Sequence, residues 1–409
     1  MNFVFFSVIF LFNALFALLF PFIAGFFVWR FFKNKEDGRS LFQKFVLEYI
    51  FSKKQNYDVW VHGASVGEIK SAEFLIKKYI ALGKKILVTT GTITSKKVVE
   101  NYQSSQVSHK FLPIDFLPFY LFFIYKHRTK KVIILESELW PNLFAMLRLL
   151  KIETVMLNVD VSKKSQIKWR KIAFLLKEML VNCRLILTQN KSTEKFAEEF
   201  HPNVKYLGNV KLLNLGDGYV ARNENIINFC NSQKPILTVA STHDGEDDAI
   251  IKALQRLTGY KIIYVPRHPH RAGEIAKMLD SRGITHTKLS NYNAGFEFLL
   301  IDSIGNLMDA LSFSHIAIYG GSFLPHLAGH NVLEAGIFKC KVVTGHYVEA
   351  FEEIIAEVKK QNGIIQTDAN SIYEAILQAE KNDEMGQKIY EYIVKNKPNL
   401  EKIFEEIGL

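Results

Sequence analysis

Residues 2–29 form one apolar stretch without a single charged side chain. About 20 such residues suffice for a helix to cross a hydrocarbon core of about 30 Å, so the pattern predicts a membrane anchor helix over residues 1–32. Arg30, Lys33, Lys35 and Arg39 follow at once. By the positive-inside rule they place everything after the anchor on the cytoplasmic side of the membrane, as a body on its inner leaflet. No charged segment precedes the apolar run and no small-x-small site follows it, which disfavours a cleaved signal peptide. Pro21 predicts a kink, and a shallower interfacial embedding stays open beside a spanning one.

Beyond the anchor, short apolar runs alternate with amphipathic stretches. The first series comprises 59–62, 85–89, 131–135, 154–157 and 185–188. After a polar loop around Gly216-Asp217-Gly218, a second series comprises 235–239, 261–265, 298–301, 315–319 and 341–344. This alternation predicts parallel sheets covered on both faces by helices, hence an α/β chain of two doubly wound domains, 45–211 and 219–409. From Ser371 onward the pattern is of charged amphipathic helices packing across the domains. Ligands of such sheets bind at the carboxyl ends of the strands, so the residues just after each run carry the functional information.

A chain of 409 residues suits two domains plus an anchor. Cys183, Cys230 and Cys340 form no close pair and are odd in number, which fits a reducing compartment. The net charge of +10 suggests an acidic partner. By charge alone nucleic acid, phosphorylated lipid and a membrane surface all qualify; the basic residues are dispersed, without the aromatic interleaving that stacks bases, which argues against the first.

Chemistry concentrates after the strands. The run from Ile316 to Gly320-Gly321-Ser322, followed by Gly329-His330-Asn331-Val332-Leu333-Glu334, reads as a strand, a glycine-rich turn and a helix starting near Asn331. Unpaired N–H groups and a helix dipole there would seat a phosphate, with Glu334 placed for the hydroxyls of a ribose. A tight turn capped by Asn331 is the plainer alternative. After the first strand, Ser65-Val66-Gly67-Glu68 precedes a helical pattern through Ile80, so Glu68 is a candidate general base. Equally, Ser65-x-x-Glu68 is a capping box. The turn at Thr89-Thr90-Gly91-Thr92 holds either a polar ligand or a helix cap. In Glu136-Ser137-Glu138-Leu139-Trp140-Pro141, two acids beside a buried-looking Trp-Pro must meet cations, hydroxyls or a helix end.

In the second domain, Pro266-Arg267-His268-Pro269-His270 follows a strand, and Arg267 suits bidentate capture of a phosphate. His268 and His270 lack an acidic or cysteine partner nearby, which disfavours a metal. The turn Ile304-Gly305-Asn306 offers backbone groups to a base. No Asp-x-Asp occurs anywhere, removing a common divalent-cation clamp, and Walker, Gly-x-Gly-x-x-Gly and Gly-x-Ser-x-Gly motifs are absent.

Taken in order, these segments resemble the Kdo transferases, which add 3-deoxy-D-manno-octulosonic acid to lipid A precursors. The resemblance runs through 65–68, 89–94, Leu112-Pro113-Ile114-Asp115, 136–142, Gly208-Asn209-Val210-Lys211, 240–246, 266–268, 320–322 and 329–334. It implies a GT-B glycosyltransferase fold, two Rossmann-like domains facing a cleft, acting by inversion without metal. CMP-Kdo would be the donor, with no separate cofactor, and a lipid A precursor the acceptor, beside inner-membrane lipid. By the same resemblance Glu68 is the catalytic base and Glu136 and Lys211 support the transition state. CMP contacts would come from Pro266, Arg267, Ile304, Gly305 and Asn306, with Asn331, Val332, Leu333 and Glu334. Gly321 and Ser322 complete the implied donor site. Two positions depart from the family pattern. Asn306 stands where the family has a glutamate, which implies a backbone contact there. Asn158-Val159-Asp160-Val161-Ser162 stands where it has Asn-Ala-Arg-Leu-Ser, which implies different acceptor handling. Lys163 and Lys164 then become candidates for drawing in an anionic lipid head group. The rival expectations are a UDP-sugar transferase and a membrane-tethered binding protein without turnover.

Overall fold

The structure, a computed structural model, describes residues 3–214 and 218–409, so Gly216 and Asp217 of the expected interdomain loop lie outside the described residues. The chain divides into two compact units, one of residues 1–214 with 397–409, the other of residues 215–396.

In the first unit seven parallel strands form one sheet: β1 (Val59–His62), β2 (Ile86–Thr90), β3 (Val107–Phe111), β4 (Lys131–Leu135), β5 (Glu153–Val159), β6 (Cys183–Thr188) and β7 (Val204–Tyr206). Their spatial order is β3-β2-β1-β4-β5-β6-β7, so the order reverses between β1 and β4. Crevices at such reversals are where doubly wound sheets bind ligands. β1, β2 and β4 are buried almost throughout because both faces of the sheet are covered. The strands β3 and β7 lie at the two edges and are only partly buried. Their sequences alternate weakly, which is why the hydrophobic pattern passes over them.

The second unit repeats the plan with β8 (Ile236–Thr242), β9 (Lys261–Pro266), β10 (Thr287–Lys288), β11 (Phe298–Leu300), β12 (Ser314–Tyr319), β13 (Lys341–Thr344) and β14 (Ile364–Gln366). The order β10-β11-β9-β8-β12-β13-β14 reverses between β8 and β12. Here too the unpredicted strands, β10 and β14, are the short edge ones.

Eight helices matter for function: α1 (Phe3–Phe32), α2 (Gly38–Lys44), α3 (Val66–Ser71), α4 (Leu117–Lys126), α5 (Pro141–Leu149), α6 (Leu333–Gly336), α7 (Met385–Asn396) and α8 (Leu400–Ile407). α1 is continuous through Pro21. The helical pattern expected from Glu68 to Ile80 is interrupted at Ala72, where the backbone turns (ψ 6°) and a second helix, Glu73–Ala81, begins. The helix expected at Asn331 starts only at Leu333 and is a single turn, too short to sum a useful dipole. The tail also differs from the expectation that the second domain runs to 409. α8 belongs to the first unit, where Ile403 and Ile407 enter the core with Ile69, Leu75, Ile133 and Leu135. α7 stays in the second unit, where Ile389 closes on Gly336.

Candidate active site

The geometry of the first unit converges at the reversal between β1 and β4. β1 passes into Gly63, where an added Cβ would stand 2.9 Å from Leu135 Cδ1 and 3.1 Å from Glu68 Cβ, so a larger residue would push on both. Ser65 caps α3 by accepting from the Glu68 N–H at 3.3 Å. Glu68 bonds back one residue earlier than a capping box would: its Oε2 accepts from Ala64 N at 2.7 Å. The residue is buried to 7% exposure, and its Oε1 has no hydrogen-bond partner among the described residues. Ser65 and Glu68 thus form no reciprocal capping box: one oxygen of Glu68 braces the turn ahead of α3.

Glu136, directly after β4, sits in the left-handed region at φ 53°. A non-glycine residue held there costs about 1–3 kcal/mol, which the surroundings must overdetermine. Its Oε1 lies 2.5 Å from Lys211 Nζ. Burial pushes the Glu136 carboxyl above its ordinary value, Lys211 draws it back, and the nearby Glu68 and Asp160 push it up further. Lys211 rides on a short 3-10 turn, Val210–Asn214, which packs against α3. Asn158 Oδ1 pins that turn by accepting from Val210 N at 3.0 Å. Asn158 itself occupies a bulge in β5 at φ 62°. Glu68, Glu136 and Lys211, far apart in sequence, are thus brought together.

Glu138 does something else. Its Oε2 accepts from the Trp140 indole at 2.8 Å and lies 3.6 Å from His62 Nε2. Burial raises its carboxyl, but the nearby His62 imidazole and the Trp140 hydrogen bond outweigh it and hold the group below the ordinary range. Trp140, expected to be buried, is 39% exposed, its indole reaching this carboxylate instead of the core.

The second unit corrects the expected phosphate seat. The N–H groups of Gly321, Ser322 and Phe323 are not free: all three donate to the carboxylate of Glu246, at 2.7, 3.0 and 3.0 Å, and His243 N adds a fourth bond at 2.8 Å. Glu246 is only 2% exposed, so the anion that fills this nest is the protein's own. Ser322 is fully buried, its hydroxyl bonded to Tyr319 O, Thr344 Oγ1 and Gly345 N, and offers nothing to a ligand. Gly321, at φ 71°, has His330 where a Cβ would stand, 2.5 Å away.

What remains open lies around this plug. Arg267 follows β9 with its backbone N–H on Thr242 O at 3.0 Å, its exposed side chain in no ion pair among the described residues. His243 and His330 stack with ring centroids 5.1 Å apart and Nε2 atoms at 2.9 Å, and His268 packs edge-on against His243. Burial, with the neighbouring imidazoles and Arg267, pushes His330 down to about 4, so it is neutral at neutral pH. Asn331 Oδ1 caps the single turn of α6 through Leu333 N at 3.3 Å, and Glu334 lies within that turn. In the other turn, Ile304 is 89% exposed and Gly305 takes φ 96°. Asn306 is tied to Ser303 Oγ and Asn223, both at 2.9 Å, and its Nδ2 also reaches Ile304 O at 3.5 Å, so its amide is spent on shaping the turn, while the N–H groups of Ile304 and Gly305 make no hydrogen bond among the described residues. Pro266 closes β9 and is buried.

Similarity to known proteins supplies the family. Residues 39–214 match the family described as 3-deoxy-D-manno-octulosonic-acid transferase (kdotransferase). Over 369 residues the chain is 32% identical to the 3-deoxy-D-manno-octulosonic acid transferase of Haemophilus influenzae, covering 85% of this chain and 86% of that protein. The chain belongs to the Kdo transferase family. A second relative, the 3-deoxy-D-manno-octulosonic acid transferase of Rickettsia typhi, is 26% identical over 339 residues, 80% of this chain and 72% of that protein. In fold, the transferase is similar to MurG of Acinetobacter baumannii, with a TM-score of 0.55 at 11% identity over 87% of this chain and 99% of that one. The protein is a glycosyltransferase of GT-B fold.

Sequence reasoning about the transferase missed the roles of Glu246, Asn158 and the His243–His330 pair. Glu246 had a weak signal, an acid just beyond a strand end, where a carboxylate can hold a turn. Nothing local marks it as bonding residues 321–323, which are remote in sequence.

Proposed function

We propose that this enzyme transfers Kdo from CMP-Kdo to a lipid A precursor, lipid IVA, at the cytoplasmic face of the inner membrane, in lipopolysaccharide inner-core synthesis. The observation that carries the mechanism is the convergence of Glu68, Glu136 and Lys211, with one oxygen of Glu68 unengaged among the described residues.

In the proposed step the acceptor hydroxyl gives its proton to Glu68 Oε1 while its oxygen attacks the anomeric carbon of Kdo. The bond from that carbon to the phosphate oxygen breaks, and CMP leaves with the electron pair. Attack opposite the leaving group inverts the anomeric configuration. Glu136, with Lys211 at its oxygen, supports the cationic character that develops on the sugar, and Lys211 keeps that carboxylate ionised against its burial. On the donor side Arg267 meets the phosphate, Pro266 and the Ile304-Gly305-Asn306 backbone receive the cytosine, and residues 331–334 hold the ribose and phosphate. Gly321 and Ser322 act indirectly, as the loop that Glu246 clamps. The mechanism needs no metal, because Arg267 answers the leaving charge and the sequence holds no Asp-x-Asp clamp. Lys163 and Lys164, at the start of the exposed helix that Ser162 caps, remain candidates for receiving the acceptor's phosphates.

The test is mass spectrometry of a detergent-solubilised reaction with CMP-Kdo generated in place and tetraacylated lipid A precursor. A product heavier by one or more Kdo units is expected, and Glu68→Gln should lower its rate by about 10²–10⁴-fold. Binding of UDP-sugars without binding of CMP, and no product, would defeat the assignment of donor.

A further inference from the structure

α1 does not stand clear of the first unit but packs on it from end to end. Phe5 and Ile9 are buried, with the Arg148 guanidinium 6.0 Å from the Phe5 ring. Asn13 donates to Asn142 Oδ1 at 2.6 Å and accepts from Leu117 N at 2.8 Å, stitching the helix to α5 and α4. Phe16 stacks on Phe116 at 4.9 Å, and Phe20 and Phe27 meet Phe45 at 5.8 and 5.6 Å. Arg30 ends the stripe on Glu36 at 3.0 Å. Glu36 also takes the buried Lys44, which in turn donates to Gly91 O at 3.0 Å beside β2. These contacts recur every three, four or seven residues, one helical face, over about 37 Å of axis. The opposite face is equally apolar and is exposed at Leu11, Leu18, Phe22 and Trp29.

Resting on the reading that the enzyme is membrane-bound, we propose that α1 lies in the plane of one leaflet, its inner stripe on the protein and its outer face in lipid, rather than crossing the bilayer. A helix that packs on a soluble unit normally presents a polar outer face; this one presents leucine and phenylalanine, which hydrocarbon accommodates and water does not. A spanning α1 would drag its partners along. Arg148, paired with Glu178 at 2.6 Å, sits at the Phe5 end, and Glu36 with Lys44 sits at the Arg30 end. If one of these charged clusters lay at the cytoplasmic surface, the other would be a bilayer thickness away, with α4, α5 and Asp115 inside hydrocarbon between them, at prohibitive cost. Lying flat, α1 costs no such burial. Lys33 and Lys35 at its end, with Lys53 and Lys54 next to the exposed Phe51, match anionic headgroups.

The experiment is spin labelling of Leu11→Cys, Leu18→Cys, Phe22→Cys and Trp29→Cys, one at a time, in the full chain carrying Cys230→Ser; Cys183 and Cys340 are buried. Depth is read by power saturation in phosphatidylglycerol-containing nanodiscs. The four labels should report one common depth, and an N-terminal tag should be cleaved by protease only in inverted membrane vesicles. Depths that change progressively along the helix, with the tag cleaved from the opposite side, would overturn the in-plane placement while leaving membrane binding intact. Water exposure of all four labels would overturn both.

Discussion

At the scale of single residues, the site turns on how Lys211 and Glu68 divide their bonds. Glu136 is held in a left-handed backbone and a buried position, and Lys211 is what keeps its charge tolerable. Removing that ammonium leaves burial, Glu68 and Asp160 all acting to raise the Glu136 carboxyl. In Lys211→Met the acid limb of the kcat/KM profile is therefore expected to move to higher pH, with kcat reduced. An acid limb that stays where it is in the wild type would mean that Glu136 need not ionise for turnover. Glu68, by contrast, is fixed by Ala64 N rather than by a charge, so its position should survive in Glu68→Gln and its chemistry should not.

At the scale of elements, two buried carboxylates hold loops and caps in place. Glu246 receives four backbone N–H groups and acts as the permanent anion of the glycine turn. A glutamine there sets an NH₂ against N–H donors, so Glu246→Gln should destabilise the second unit by about 1–3 kcal/mol and weaken CMP binding together, read by thermal unfolding and calorimetry. Asp115 caps α5 through Asn142 N and Leu143 N at 3.2 and 3.4 Å, while its Oδ2 is buried without a partner among the described residues. Burial outweighs those two bonds and raises its carboxyl to about 7. A folded value above the unfolded one contributes stability that is complete below about pH 4 and is lost as pH rises through about 7. Thermal stability of the wild type should thus fall between about pH 4 and 7 through this group, and Asp115→Asn should remove that fall. An unchanged slope in the variant would show that another group sets it.

At the scale of the whole chain, the first unit is assembled from both ends of the sequence. α8 contributes Ile403 and Ile407 to a core otherwise drawn from residues before 214, and its backbone is tied to Lys131 and Arg184. Ile407→Ala is expected to cost about 2–5 kcal/mol and to lower the melting of the first unit specifically, followed by limited proteolysis of the two units. A variant that melts like the wild type would mean the tail is dispensable for that core.

Local rules were enough for the sheet-and-helix alternation, the central strands nearly to the residue and the apolar character of α1. Period, strand composition, capping residues and the absence of charge are all written in neighbouring positions. Edge strands such as β3 and β14 escaped because one flank is solvated and the hydrophobic pattern fades there. Only the folded chain reveals which tail helix crosses, α8 and not α7, that Glu246 rather than a ligand fills the glycine turn, that Lys211 pairs with Glu136, and that one face of α1 packs on protein while the other stays exposed. Each of these is a contact between residues remote along the chain, and no local pattern records which of several available partners a donor or an apolar face will meet.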